Sequence, residues 1–143
     1  MYRALRTPIE CIVERGRVVD IRGAEDAREY KTLLEGLDDP QVFGIAEVGV
    51  GIHRRAHLSG TPLEDERILG SAWMALGTNV HLGGTVKAAI HSDCVMLPPV
   101  SLAVDGELLL GDAFDVRADD PHDARGDAVS ATGRVSLRPF QCL

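Results

Sequence analysis

Long apolar runs are missing from this chain, and that absence limits where it can work. No window approaches the roughly 18 apolar residues needed to cross a bilayer. The N-terminal MYRALRTPIE lacks the apolar core of a secretory signal. The expectation is a soluble, cytoplasmic protein. Positive charge is also scarce: 15 Lys and Arg face 22 Asp and Glu, for a net charge of −7. A protein so charged has no electrostatic footprint for a nucleic-acid backbone. Cysteine is sparse and odd in number. Cys11, Cys94 and Cys142 lie far apart, without the paired spacing of a disulfide framework or a zinc site. Gly83-Gly84 is not followed by Lys-Ser or Lys-Thr, and no Gly-x-Ser-x-Gly occurs. A phosphate-binding loop and an acyl-transfer serine elbow are therefore both excluded.

What is present suits one compact domain, since 143 residues allow a real core but not two ordinary ones. Ile9–Glu14 and Arg17–Arg22 flank Arg15-Gly16 and predict a hairpin. Ala27, Tyr30, Leu33, Leu34 and Leu37 follow with the one-sided spacing of an amphipathic helix over Ala24–Leu37. Asp38-Asp39-Pro40 ends it. Val42–Val50 is an apolar run that carries Glu47, a carboxylate that needs a sheet end, a donor or a metal to sit there. Pro62–Leu69 predicts a short helix with Thr61 as N-cap and Glu64, Asp65 and Glu66 in its first turn. Short apolar segments at 71–76, 86–91, 94–97, 100–104, 107–110 and 134–137 predict strands, with Asp105-Gly106 marking a hairpin. The fold class expected is α+β, a mostly antiparallel or mixed sheet with one principal amphipathic helix packed on it. Residues 112–132 read as a solvated acidic loop, with a docking surface for a basic partner as the alternative.

Three blocks carry chemistry: AEVGVGI at 46–52, EDERILGSAWMALG at 64–77 and GGTVKAAIHSD at 83–93. On a strand, His91 and Asp93 project to one face and could present an imidazole nitrogen and a carboxylate oxygen to one ion. Ser92 and Cys94 then share the other face, which makes Cys94 a core residue.

In this order and spacing, the three blocks resemble the C-terminal domain of the aminopeptidase T-like metallo-aminopeptidases and of the related ring-cleaving 2,5-dihydroxypyridine dioxygenases. The resemblance covers about residues 8–111 and only the last part of a family enzyme. It implies that the domain closing over the active site lies on another chain or is gone. It also implies metal ligands at Glu47, His91 and Asp93, and a histidine where this chain has Trp73. An indole offers a single N–H donor and no lone pair, so Trp73 cannot ligate. His53, His57 or His81 could substitute for it.

Two readings follow. The first is a non-catalytic binding or scaffold protein, using the old active-site region of Glu47, Trp73, His81, His91 and Asp93. It would need no cofactor and would recognise a peptide or protein partner, for example a precursor peptide in a natural-product pathway. The alternative is a metal-dependent enzyme, an aminopeptidase-like hydrolase or a non-haem iron dioxygenase. It would hold Fe(II) or Zn at Glu47, His91 and Asp93 and be completed by a partner chain. Self-association as a homodimer is expected in either case.

Overall fold

The computed structural model describes residues 3–98, 100–104, 107–110, 133–137 and 141–142. Strands β2 (Ile9–Glu14) and β3 (Arg17–Gly23) form the expected antiparallel hairpin. Arg15 and Gly16, at φ 49° and 73°, supply the two left-handed positions of its turn. Helix α1 (Glu25–Glu35) packs on this hairpin and buries Ala27, Tyr30 and Leu34. β9 (Gly133–Leu137) pairs with the free side of β2 and completes a three-stranded sheet.

A second sheet of five strands carries the candidate chemistry. Its order is β1 (Arg3–Ala4), β10 (Gln141–Cys142), β6 (His91–Met96), β5 (Ala72–Gly77) and β4 (Ile45–Val50), with every neighbouring pair antiparallel. β7 (Leu102–Val104) and β8 (Glu107–Leu110) make a separate ribbon. The architecture is thus α+β, with antiparallel sheets and one principal helix.

The core lies between the two sheets and α1. Ile9, Cys11, Val18 and Ile21 from the hairpin meet Tyr30 and Leu34 from the helix and Met74, Leu76 and Cys94 from the large sheet. Tyr30 Oη lies 3.0 Å from Ser92 Oγ and accepts the Cys94 thiol at 3.6 Å. Ser92 and Cys94 therefore face the core, as the alternation of strand residues requires, and His91 and Asp93 face away. Burial pushes the Cys11 thiol up to about 12, helped by the nearby Cys94 and Glu10. The thiol is a packed core group rather than a nucleophile.

Two expectations need correction. Residues 86–90 are not a strand. Their polar groups are taken by other partners: Val86 N donates to Asn79 Oδ1 (2.9 Å), Ala89 N donates to Asp39 Oδ2 (2.8 Å), and Ile90 O accepts from Thr78 N (2.8 Å). With those groups engaged, no ladder can start before His91. The helix after Thr61 is also shorter than its pattern, spanning only Pro62–Asp65 as α2. The buried Asp65 carboxylate accepts from Ser59 N (2.7 Å) and Ser59 Oγ (3.2 Å), which ties the helix into a closed loop. The acidic stretch at 112–132 lies outside the described residues. Among those described, no helix is long and apolar enough to cross a membrane.

One buried carboxylate fastens the N-terminal segment to α1. Asp26 Oδ2 accepts from Arg6 N (2.7 Å), Thr7 N (2.6 Å) and Thr7 Oγ1 (2.9 Å), and Oδ1 pairs with Arg3 at 2.7 Å. Burial opposes its ionisation, but the donors of Thr7, Arg3 and Arg6 outweigh that cost and hold the carboxyl well below the usual range. Asp26→Ala strands those donors, so a loss of about 2–4 kcal/mol is expected. A depressed folded pKa contributes stability above the unfolded value near 4 and loses it as pH falls toward the folded one. Urea unfolding at neutral and acid pH checks this: the gap between parent and variant should narrow in acid, and an unchanged gap would exclude the carboxylate as its source.

Candidate metal centre

The register of the large sheet sets three strands' residues side by side on the face away from the core. Glu47 pairs with Ala75, which pairs with Asp93; Gly49 pairs with Trp73, which pairs with Val95; Gly77 pairs with His91. Directly paired residues of an antiparallel sheet share a face, so Glu47, Trp73, His91 and Asp93 line one surface. Glu47 owes its place there to a break in register between Ile45 and Glu47. Ile45 pairs with Leu76, so an unbroken ladder would set Glu47 against Met74, on the core face. One extra residue in β4 shifts the phase and turns the carboxylate outward.

Trp73 has a defined position on this surface. A Cβ on Gly49 would overlap the six-membered ring of the indole, so the ring occupies space that only glycine leaves open on the neighbouring strand. Its Nε1–H donates to Glu47 Oε1. The half-buried carboxylate on the edge strand thus has a donor.

His91 begins β6, where its Nδ1 lies 2.7 Å from the Thr78 carbonyl oxygen. A carbonyl only accepts, so Nδ1 carries a proton and Nε2 is the nitrogen turned toward the outer face. Nε2 lies 3.2 Å from Asp93 Oδ1. A proton on Nε2 or a cation between the two groups would each hold them together at that distance. His81 comes from the 3-10 turn Val80–Leu82, and its ring meets His91 edge to face, with centroids 4.4 Å apart at 88°. One ligand atom each from Glu47, His81 and His91 lies within 4.8 Å of the others. Asp93 stands beside His91 outside that trio.

The turn that delivers His81 is braced by Asn79. Its carbonyl accepts from Leu82 N and Gly84 N, both at 3.0 Å, while its side chain holds Val86 N. The other two described histidines lie elsewhere. His53 Nδ1 accepts from Arg55 N (3.2 Å), and the exposed His57 sits 3.5 Å from Glu64.

Glu66 is a further member that sequence reasoning took only as a helix-start acid. Burial first, and then the negative Asp93 and Glu47, push its carboxyl above the usual range, opposed by Arg67 and His91. The approach of the 51–71 loop explains its position. A Cβ on Gly51 would overlap the Glu66 and Ile68 carbonyl oxygens and the Ser71 hydroxyl, so glycine lets the loop fold back on the end of β4. The sequence signal was available in the third acid of Glu64-Asp65-Glu66, but nothing in its spacing points to the sheet.

Two imidazoles and a carboxylate with converging atoms form the donor set favoured by non-haem Fe(II) oxygenases. The carboxylates of Glu66 and Asp93 add negative charge that a cation would offset. The residues present therefore fit a divalent metal.

Comparison with known proteins agrees in one direction. The family model for NicX, 2,5-dihydroxypyridine 5,6-dioxygenase, matches residues 1–114. A 2,5-dihydroxypyridine 5,6-dioxygenase of Pseudomonas putida KT2440 is 27% identical over 97 residues, which are 62% of this chain and 28% of that protein. The solved structure of 2,5-dihydroxypyridine dioxygenase from Pseudomonas putida KT2440 superposes with a TM-score of 0.63 at 24% identity, over 74% of this chain and 33% of the other. The chain thus spans about a third or less of the relatives it matches. These matches do not support the aminopeptidase T-like part of the resemblance, nor a role in peptide binding.

Proposed function

The chain belongs to the 2,5-dihydroxypyridine 5,6-dioxygenase family, and from that premise we propose that it is a metal-binding domain of a non-haem iron dioxygenase acting on a dihydroxylated aromatic ring. The observation that supports this most directly is the convergence of Glu47, His81 and His91 within 4.8 Å on a surface shared with Asp93. This is the alternative drawn from the sequence, and it replaces the non-catalytic peptide-binding reading.

Glu47, His91 and Asp93, the ligands the resemblance implies, would hold the ion, with the second imidazole beside them. Iron(II), when bound there, would supply the redox chemistry by which dioxygen is used in ring cleavage. The chain's own residues prepare the site. The Thr78 carbonyl engages His91 Nδ1, so an ion would meet the ring at Nε2, beside Asp93. Trp73 keeps one Glu47 oxygen engaged, and Asp93 and Glu66 keep the surface negative.

Metal analysis tests the reading. Protein purified without chelator, or loaded anaerobically with Fe(II), is expected to carry near-stoichiometric iron. It should then consume oxygen when given a dihydroxypyridine, alone or with whatever chain completes the pocket. Protein that takes up no divalent metal under anaerobic titration would sink the proposal.

A further inference from the structure

We infer that His81 is a metal ligand of this chain and that Trp73 is a positioning residue for Glu47, so that the ion is held from three separate elements: edge strand β4, the Val80–Leu82 turn and β6. The inference rests on the proposed metal site and assigns two residues within it. Strand β5 lies between the two ligand strands, and at its Trp73 position it presents an N–H that can only donate. The second imidazole must therefore come from off the sheet. His81 is the one described histidine whose nitrogen joins those of Glu47 and His91 within 4.8 Å.

The turn bearing His81 is fastened to the same groups that set His91. Thr78 carries the carbonyl that engages His91 Nδ1, and Thr78 N donates to Ile90 O immediately before His91. Asn79 closes the turn from within, and a Cβ on Gly84 would overlap its side-chain amide. Both imidazoles are thus braced by one short segment, which limits their relative movement. The indole acts on the third ligand. Lying in the gap left by Gly49, it donates to Glu47 Oε1 and leaves the other carboxylate oxygen for an ion. A metal-bound carboxylate with a fixed outer hydrogen bond is the usual way a first ligand is oriented.

The test uses Co(II) and anaerobic Fe(II) as probes on the whole chain, read by equilibrium dialysis. In parent and His-to-Ala variants, quenching of Trp73, the single tryptophan, gives a second signal. His81 is exposed, so His81→Ala should fold normally by circular dichroism. The affinity of His81→Ala is expected to fall by more than the roughly 100-fold upper range for an outer-shell partner, and that of Trp73→Phe by roughly 10–100-fold. Electron spin echo spectra of the Fe(II)–nitrosyl form should show two coordinated imidazoles in the parent and one in His81→Ala. If His81→Ala binds as the parent does while His91→Ala does not, or if the parent shows one imidazole, His81 is not a ligand and the metal site stands without it. If Trp73→Phe loses stability but keeps the parent's affinity, the indole is only packing. Failure of the parent itself to bind either metal would overturn the proposed function together with this inference.

Discussion

His91→Ala is expected to abolish binding at the proposed metal site, lowering Fe(II) and Co(II) affinity by well over about 100-fold, beyond what loss of an outer-shell partner does. The reason is positional. His91 sits at the junction of the three features that define the site: Nε2 faces Asp93 at 3.2 Å, the ring packs against His81, and Nδ1 is bonded to the Thr78 carbonyl. Alanine removes the Nε2 atom of the proposed site together with the bond to Thr78 and the ring contact with His81. Stability should change little by comparison, because the side chain is only partly buried and lies off the core cluster. The variant also separates the metal from the fold in a second way. A bound metal stabilises the folded state in proportion to its saturation, so added Fe(II) should raise the melting temperature of the parent and leave the variant unmoved. Equal shifts in the two proteins would mean that the ion binds elsewhere.

Gly77→Ala should be the most damaging single methyl that can be added to this sheet. Gly77 holds φ 98°, a conformation that costs an L-residue about 1–3 kcal/mol. A Cβ there would also overlap the Ile90 carbonyl oxygen. That oxygen belongs to rigid backbone and accepts the Thr78 N–H, so the clash cannot be relieved by a side-chain rotation. Together the two effects give an expected loss of about 3–5 kcal/mol, a large share of a small domain's stability. The consequence reaches the site because Gly77 is the direct partner of His91 and precedes Thr78. Urea unfolding should show the loss, and the surviving folded fraction should bind Co(II) less tightly than the parent. A variant with unchanged midpoint and affinity would mean that the β5–β6 end yields more easily than its hydrogen bonds imply.

Much of the fold was legible because it depends on local pattern. The Arg15-Gly16 turn was readable as a hairpin because two adjacent left-handed positions favour a residue pair ending in glycine. Helix α1 was readable from the spacing of Ala27, Tyr30 and Leu34, the residues it buries. The sidedness of β6 followed from alternation alone, and Tyr30 meets Ser92 on the face so assigned. Elsewhere the pattern misled. Residues 86–90 have the apolar composition of a strand, but Asn79 and Asp39 take their N–H groups. The acceptor for Ala89 N is 50 residues away, outside any local window, and the nearer one at Asn79 acts through a side chain that apolar patterning does not register.

By itself, the sequence determined which residue types were on hand for a metal. It placed His91 and Asp93 on one face and barred Trp73 from ligation, because alternation and side-chain chemistry are local properties. Only the tertiary structure decided how those residues combine. The register break in β4 turned Glu47 from the core face to the outer one, and the gap at Gly49 gave the indole its place. The braced turn at 78–86 brought His81 against His91, and the folded-back 51–71 loop set Glu66 near Asp93 and Glu47. Each depends on contacts between segments distant in the chain or on a one-residue shift of pairing, and neither leaves a periodic trace in the sequence.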